Sequence, residues 1–93
     1  MIIGIPKEVK NHEYRVGLTP ASVRELASLG HQIIVESEAG SGVGFTNQAY
    51  QEAGATIAQT ANEVFAKAEL IVKVKEPQPQ ECKLLRPDQV LFT

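Results

Sequence analysis

The sequence has no tryptophan and only one methionine and one cysteine among its 93 residues. With two Tyr and three Phe as its whole aromatic content, its core has to be built from Val, Ile, Leu and Ala. A lone Cys82 cannot close an internal disulfide, which fits a reducing compartment and predicts a cytoplasmic protein. No apolar run approaches the roughly 18 residues that a membrane-crossing helix needs, so no membrane partner is expected. An excess of charge is missing too. A net charge of -2 offers no basic surface for nucleic acid or an anionic bilayer. The opening stretch MIIGIPKEVK lacks a basic n-region and a long apolar core, and does not read as a secretory signal. Internal repeats, low-complexity tracts and linkers are absent, and the length suits one small domain. His12, His31 and Cys82 form no metal-ligand spacing, so no metal is predicted. Ser22, Ser28, Ser37 and Ser41 have no Ser/His/Asp context.

What is present is an alternation of strand and helix patterns. MIIGI at residues 1–5 is a short apolar strand stopped by Pro6. Residues 7–19 are polar and predict a long loop, a type of segment that often carries function. Thr19 then suits an N-cap, Pro20 the first helical position, and Gly30 the left-handed residue that ends the helix. Between them Val23, Leu26, Ala27 and Leu29 make one apolar side. HQIIVE at 31–36 reads as a second strand. The Thr46…Gly54 segment repeats the bracket around a shorter helix, and 55–57 reads as a short strand. Thr60 and Glu63 have the spacing of a capping box in front of a third helix. LIVKVK at 70–75 predicts a strand, 79–85 a helical turn, and 89–93 the start of another strand. The order implies an α/β fold, Rossmann-like or flavodoxin-like: a mostly parallel sheet with helices on both faces and ligands bound outside the carboxyl ends of the strands. The closing run DQVLFT is apolar with no turn or cap after it, which predicts a chain truncated in or just after a strand.

The glycine-rich GSGVG at 40–44 sits between a strand and a helix. It is not the dinucleotide fingerprint, because the sixth position is Phe45 rather than Gly or Ala and the strand before it is the second of the chain. A flexible turn needing positive φ is the plainer account.

The charges at the carboxyl edge are more informative. Lys75 is predicted at the end of its strand, and Pro77 turns the chain away there. Lys73 is expected in a structural role, its stem along apolar surface and its head in water. The 7–19 loop leaves the same edge and carries Arg15, whose guanidinium can hold a carboxylate through two hydrogen bonds. Arg15 and Lys75 together would make a two-cation site for a small carboxylate. Spacing alone favours the alternative, in which Arg15 pairs with Glu13 or Glu8 and Lys75 with Glu76, all at the surface. His12 reads as a solvated loop residue, and Glu8 and Glu13 as members of a solvated network.

Three segments, IGIPKEVKNHEYRVGLTPASVRELASLGH, VESEAGSGVGFTNQAYQEAGA and ELIVKVKEP, closely resemble the N-terminal region of the bacterial L-alanine dehydrogenase family. The resemblance covers essentially the whole chain. Its most specific parts are the I-P-K-E…E-x-R-V-x-L-T-P block and K-V-K-E-P. The first is shared with the NAD-binding alpha subunit of proton-translocating transhydrogenase, which is the alternative; the second is more like alanine dehydrogenase. His12 stands where the family often has Asn. The resemblance implies that residues 1–93 are the N-terminal portion of a substrate domain, with the NAD-binding domain outside them. It implies that Arg15 and Lys75 bind the carboxylate and carbonyl oxygens of alanine or pyruvate. The family's catalytic histidine would fall just beyond Thr93, so no catalytic residue is expected within the chain, and the isolated fragment is expected to be inactive. The implied activity is NAD-dependent oxidative deamination of alanine to pyruvate and ammonia, by a protein that is a homohexamer when full length.

Overall fold

The computed structural model describes all 93 residues. In chain order the elements are β1 (Ile2–Ile5), α1 (Pro20–Ser28), β2 (Gln32–Glu36), a 3-10 turn (Ser41–Val43), α2 (Asn47–Glu52), β3 (Thr56–Ala58), α3 (Ala61–Lys67), β4 (Leu70–Val72), α4 (Pro79–Cys82) and β5 (Val90–Phe92). The three principal helices begin as their sequences require. Thr19, Thr46 and Thr60 each accept a hydrogen bond from the N–H three residues on, satisfying a donor that has no partner inside the helix. Gly30 and Gly54, at φ of 93° and 110°, turn the chain out of α1 and α2. Glu63 completes only part of the predicted box: its carboxylate lies 3.5 Å from the Thr60 hydroxyl.

The five strands are all parallel and lie in the order β3-β2-β1-β4-β5. Ile3 pairs with Ile33 and Ile5 with Val35 across β1 and β2, while Gly4 faces Ile71 of β4. Alternation along the strands sorts the apolar residues into two layers. Ile3, Ile5, Ile33, Val35 and Val72 pack with Val23 of α1 and Tyr50 of α2. Ile34 and Ile71 pack with Val64 and Phe65 of α3 on the opposite face. The predicted α/β sandwich, with helices on both faces, is therefore what the chain forms.

Because β2 and β3 lie on one side of β1 while β4 and β5 lie on the other, the sheet reverses its winding between β1 and β4. The chain leaving β1 and the chain leaving β4 thus emerge side by side at the carboxyl edge, at the switch point where open α/β sheets hold ligands.

β4 is shorter than its sequence predicts. It stops at Val72, not Lys75. The N–H of Lys73 still reaches Phe92 O of β5, but those of Val74 and Lys75 donate to the Glu8 carboxylate. A side chain replaces the neighbouring strand as acceptor, and the ladder ends there.

Candidate functional site

Glu8 organises the edge. Beyond Ile5 the extended chain keeps its two-residue alternation for a few more positions: Pro6 and Glu8 are buried, Lys7 and Val9 exposed. The Glu8 carboxylate, with a side chain 2 % exposed, lies 3.1 Å from Lys73 Nζ and accepts the N–H of Val74 at 3.0 Å and of Lys75 at 3.3 Å. Lys73 Nζ also sits 2.9 Å from Glu81 Oε2. That second contact is one of charge rather than an aligned hydrogen bond, since Glu81 Oε2 is otherwise unpartnered. The other Glu81 oxygen accepts the N–H of Gln78 at 2.9 Å, fixing the start of α4. Lys73, 1 % exposed, is therefore a fully enclosed ammonium between two acids. Its structural role is as expected, but its head does not reach water, and Glu8 does not belong to a solvated network. Nearby, Glu36 accepts the N–H of Lys7 at 2.8 Å, and burial holds its carboxyl above the usual carboxylate range.

Over this buried network lie the candidate ligands. Arg15 is held by Glu13 on its own loop. Its Nε and Nη2 donate to the two Glu13 oxygens at 3.0 and 2.9 Å, and its backbone N–H donates to the same carboxylate at 2.9 Å. One of the surface pairings that spacing favoured is thus present. The Arg15 guanidinium, then its N–H, lower the Glu13 pKa to about 2, with the Lys75 ammonium adding a smaller attraction. Lys75 is tied to the Arg15 loop through its backbone N–H, which Glu8 accepts, and it lines neither of the two cavities at this edge. The other favoured pairing does not form. Glu76 is taken by Lys10, which lowers its pKa to about 2, and no ion pair in the chain uses Lys75. Two tight contacts seat the loop. A side chain at Gly17 would come within 2.5 Å of Val72 O, and one at Gly42 within 2.8 Å of Tyr14 O.

Two cavities open here. One of about 370 Å³ is walled by loop residues 7–15 and the Glu38–Gly42 turn. The other, about 240 Å³, is mainly apolar: Val16, Val43, Phe45 and Val74 line it, with Arg15 and Thr19 as its polar members. Arg15 borders both.

The glycine-rich turn serves packing. Gly44 takes the left-handed conformation (φ 86°), as expected of a flexible turn. Gly40 is closed in by Phe45 and Tyr50, and Gly42 by Tyr14. A side chain at Gly40 or Gly42 would meet these neighbours, so both glycines are required by packing. His12 is exposed, lies 3.4 Å from the Tyr14 hydroxyl through Nδ1, and has a φ of 63°. Of non-glycine residues, Asn, Asp and His are the ones most often found in that region.

Sequence reasoning missed the roles of Glu8 and Glu81. A signal for Glu8 was available in the strand period running on through Pro6. Glu81 gave none, since its partner lies on a different element.

Comparison with known proteins gives the family and agrees with the fold. The family described as "Alanine dehydrogenase/PNT, N-terminal domain" matches residues 4–93. The chain is 53 % identical over 93 residues to the alanine dehydrogenase of Bacillus subtilis, covering all of this chain and 24 % of that protein. It is 50 % identical to that of Halomonas elongata, covering 25 % of its length. A solved L-alanine dehydrogenase superposes with a TM-score of 0.96 at 50 % identity, over 99 % of this chain and 25 % of that one. A transhydrogenase from Sinorhizobium meliloti superposes with a TM-score of 0.91 at 37 % identity, over 98 % and 26 %. The chain thus spans about a quarter of the length of the relatives it matches. On this evidence the chain belongs to the alanine dehydrogenase/PNT N-terminal domain family.

Proposed function

We propose that this chain is the N-terminal portion of the substrate domain of an NAD-dependent alanine dehydrogenase, and that Arg15 and Lys75 bind the substrate's oxygens. The observation that supports it is that the loop carrying Arg15 and the end of β4 carrying Lys75 leave the sheet side by side at its switch point, tied through the Glu8 carboxylate, which accepts the Lys75 N–H. Identity near 50 % to alanine dehydrogenases, against 37 % to the transhydrogenase, supports the same choice. The apolar hollow beside Arg15 also suits a substrate that is a carboxylate with one methyl group.

The reaction turns alanine and water into pyruvate and ammonia, with hydride passing to NAD. We assign that cofactor's site to the three-quarters of the relatives' length that this chain does not span. Proton transfer is assigned there too. What this chain contributes is position. Arg15 offers a planar fork and Lys75 a point charge, and two anchors on one small acid fix the direction in which its α-hydrogen points. Orientation of this kind lowers barriers by up to about 7–11 kcal/mol in the best cases. The same proposal carries a cytoplasmic, homohexameric full-length enzyme.

The test is NADH production from alanine by the full-length protein and its Arg15→Ala variant. Turnover by the wild type, with most of it lost in the variant, is expected. Unchanged kinetics in the variant would remove Arg15 from the site. A second reading, the NAD-binding subunit of a transhydrogenase, is favoured by the TM-score of 0.91. Saturable pyruvate binding by the full-length protein counts against it, because that subunit has no amino-acid substrate.

A further inference from the structure

Glu13 is an acid inside a site meant for acids, and it faces the arginine proposed to bind the substrate. Its carboxylate takes Nε and Nη2 of Arg15 and leaves Nη1 without a protein acceptor. A guanidinium can be approached along its side, through Nε and Nη2, or along its end, through Nη1 and Nη2. Glu13 fills the side. The end of the fork stays open, with Arg15 64 % exposed and Glu13 only 5 %.

We infer that Glu13 is a positioning residue that locks Arg15 side-on, so that the guanidinium's free end is presented to a substrate monocarboxylate. The pairing is local. Glu13 lies two residues before Arg15 and also accepts the Arg15 backbone N–H, so the acid, the backbone and the guanidinium form one closed unit. The long Arg side chain loses its rotamer freedom before substrate arrives, and binding does not have to supply that cost.

Glu13 also sets the charge. Arg15 and Lys75 carry two positive charges, and Glu13 removes one. The remaining single positive charge matches pyruvate or the carboxylate of alanine. A dicarboxylate would bring one negative charge too many and meet Glu13 directly. The same residue thereby disfavours substrates with a second acid group.

This inference rests on the alanine dehydrogenase reading, and the experiment separates the two. Full-length wild type, Glu13→Gln and Glu13→Asp are assayed for pyruvate reduction with ammonia, with malonate as a competing dianion. The Gln variant keeps the shape and loses the charge. A pyruvate KM raised by about tenfold is expected, the scale of one hydrogen bond to a charged group, with kcat within about threefold. Malonate should inhibit that variant more strongly relative to pyruvate than it inhibits the wild type, and Asp should restore part of the KM. A merely structural role would not reverse the malonate preference. An unchanged KM in Glu13→Gln overturns the proposal. A lowered KM overturns it as well, because Glu13 would then be a competitor for the guanidinium. In either case an active wild type leaves the alanine dehydrogenase reading standing. A wild type without alanine turnover removes both.

Discussion

Replacing Lys73 by Met tests the buried network directly. Met keeps most of the length and the apolar stem of Lys and deletes only the charge. In the native chain the Lys73 ammonium lies 3.1 Å from Glu8 and 2.9 Å from Glu81, and all three side chains are 3 % exposed or less. The substitution leaves two enclosed carboxylates with no cation between them. Removing one partner of a buried pair costs about 3–5 kcal/mol, a large part of the 5–15 kcal/mol that typically holds a domain together. With a urea m-value of about 1–1.5 kcal/mol/M for a chain of this size, the midpoint should fall by roughly 2–5 M. The triple variant Glu8→Gln, Lys73→Met, Glu81→Gln should recover part of the loss. Its amides keep one oxygen each, for the N–H of Gln78 and for one of Val74 and Lys75, and although the other N–H loses its acceptor, no bare charge is left. Equilibrium urea unfolding of the three proteins measures all of this. A loss below about 1 kcal/mol for Lys73→Met would show that the ammonium reaches water, and the account of this edge would be wrong.

Further outcomes follow from the same geometry. His12→Gly should stabilise the chain by about 1 kcal/mol, because a non-glycine residue at φ 63° carries a penalty of roughly 1–2 kcal/mol; thermal unfolding reads the change. Gly17→Ala should destabilise by about 1–3 kcal/mol and raise the substrate KM, since its Cβ would meet Val72 O at 2.5 Å and push Arg15's loop off the sheet; wild-type stability in that variant would contradict the contact. Carboxyl NMR titration of Glu13 and Glu76 should give midpoints of about 2 for both. Their folded values lie below the unfolded value of about 4.3, so the stability they contribute is complete above that pH and is lost as pH falls through about 2. The Lys10–Glu76 pair is exposed on both sides, and salt should raise the Glu76 midpoint.

The parts of the fold that could be read in the sequence are the parts set by neighbours in the chain. Thr19, Thr46 and Thr60 cap their helices through a donor three residues away, and Gly30 and Gly54 end theirs through their own φ. The parallel sheet follows from the alternating order of strands and helices, and its two apolar layers from alternation within a strand, because Ile33 and Ile34 have to face different sides whatever lies beyond them. Lys73 and Glu8 are different. Sixty-five positions separate them; the strand period running on through Pro6 marks Glu8 as inward-facing, but no local pattern says which cation it will meet there. The end of β4 went wrong for the same reason. Val74 and Lys75 continue the strand pattern, and only the distant Glu8 carboxylate, taking their N–H groups, stops the ladder.

That contact also explains how two lysines so close in sequence come to differ. Glu8 receives the side chain of Lys73 and the backbone of Lys75. One ammonium is consumed in the interior by two acids, and the other segment is fixed by its N–H while its ammonium stays unpaired. Because Glu8 leaves β1 on the loop that also carries Arg15, the group that fixes the Lys75 backbone moves with the guanidinium. The winding reversal between β1 and β4 makes those two exits neighbours, and the Glu8 carboxylate joins them. In the proposed site, the two backbones that carry Arg15 and Lys75 are then joined by a buried carboxylate and do not depend only on the reach of two flexible side chains. A small acid needs that, because a site that must hold only a few atoms has little binding surface with which to correct its own geometry.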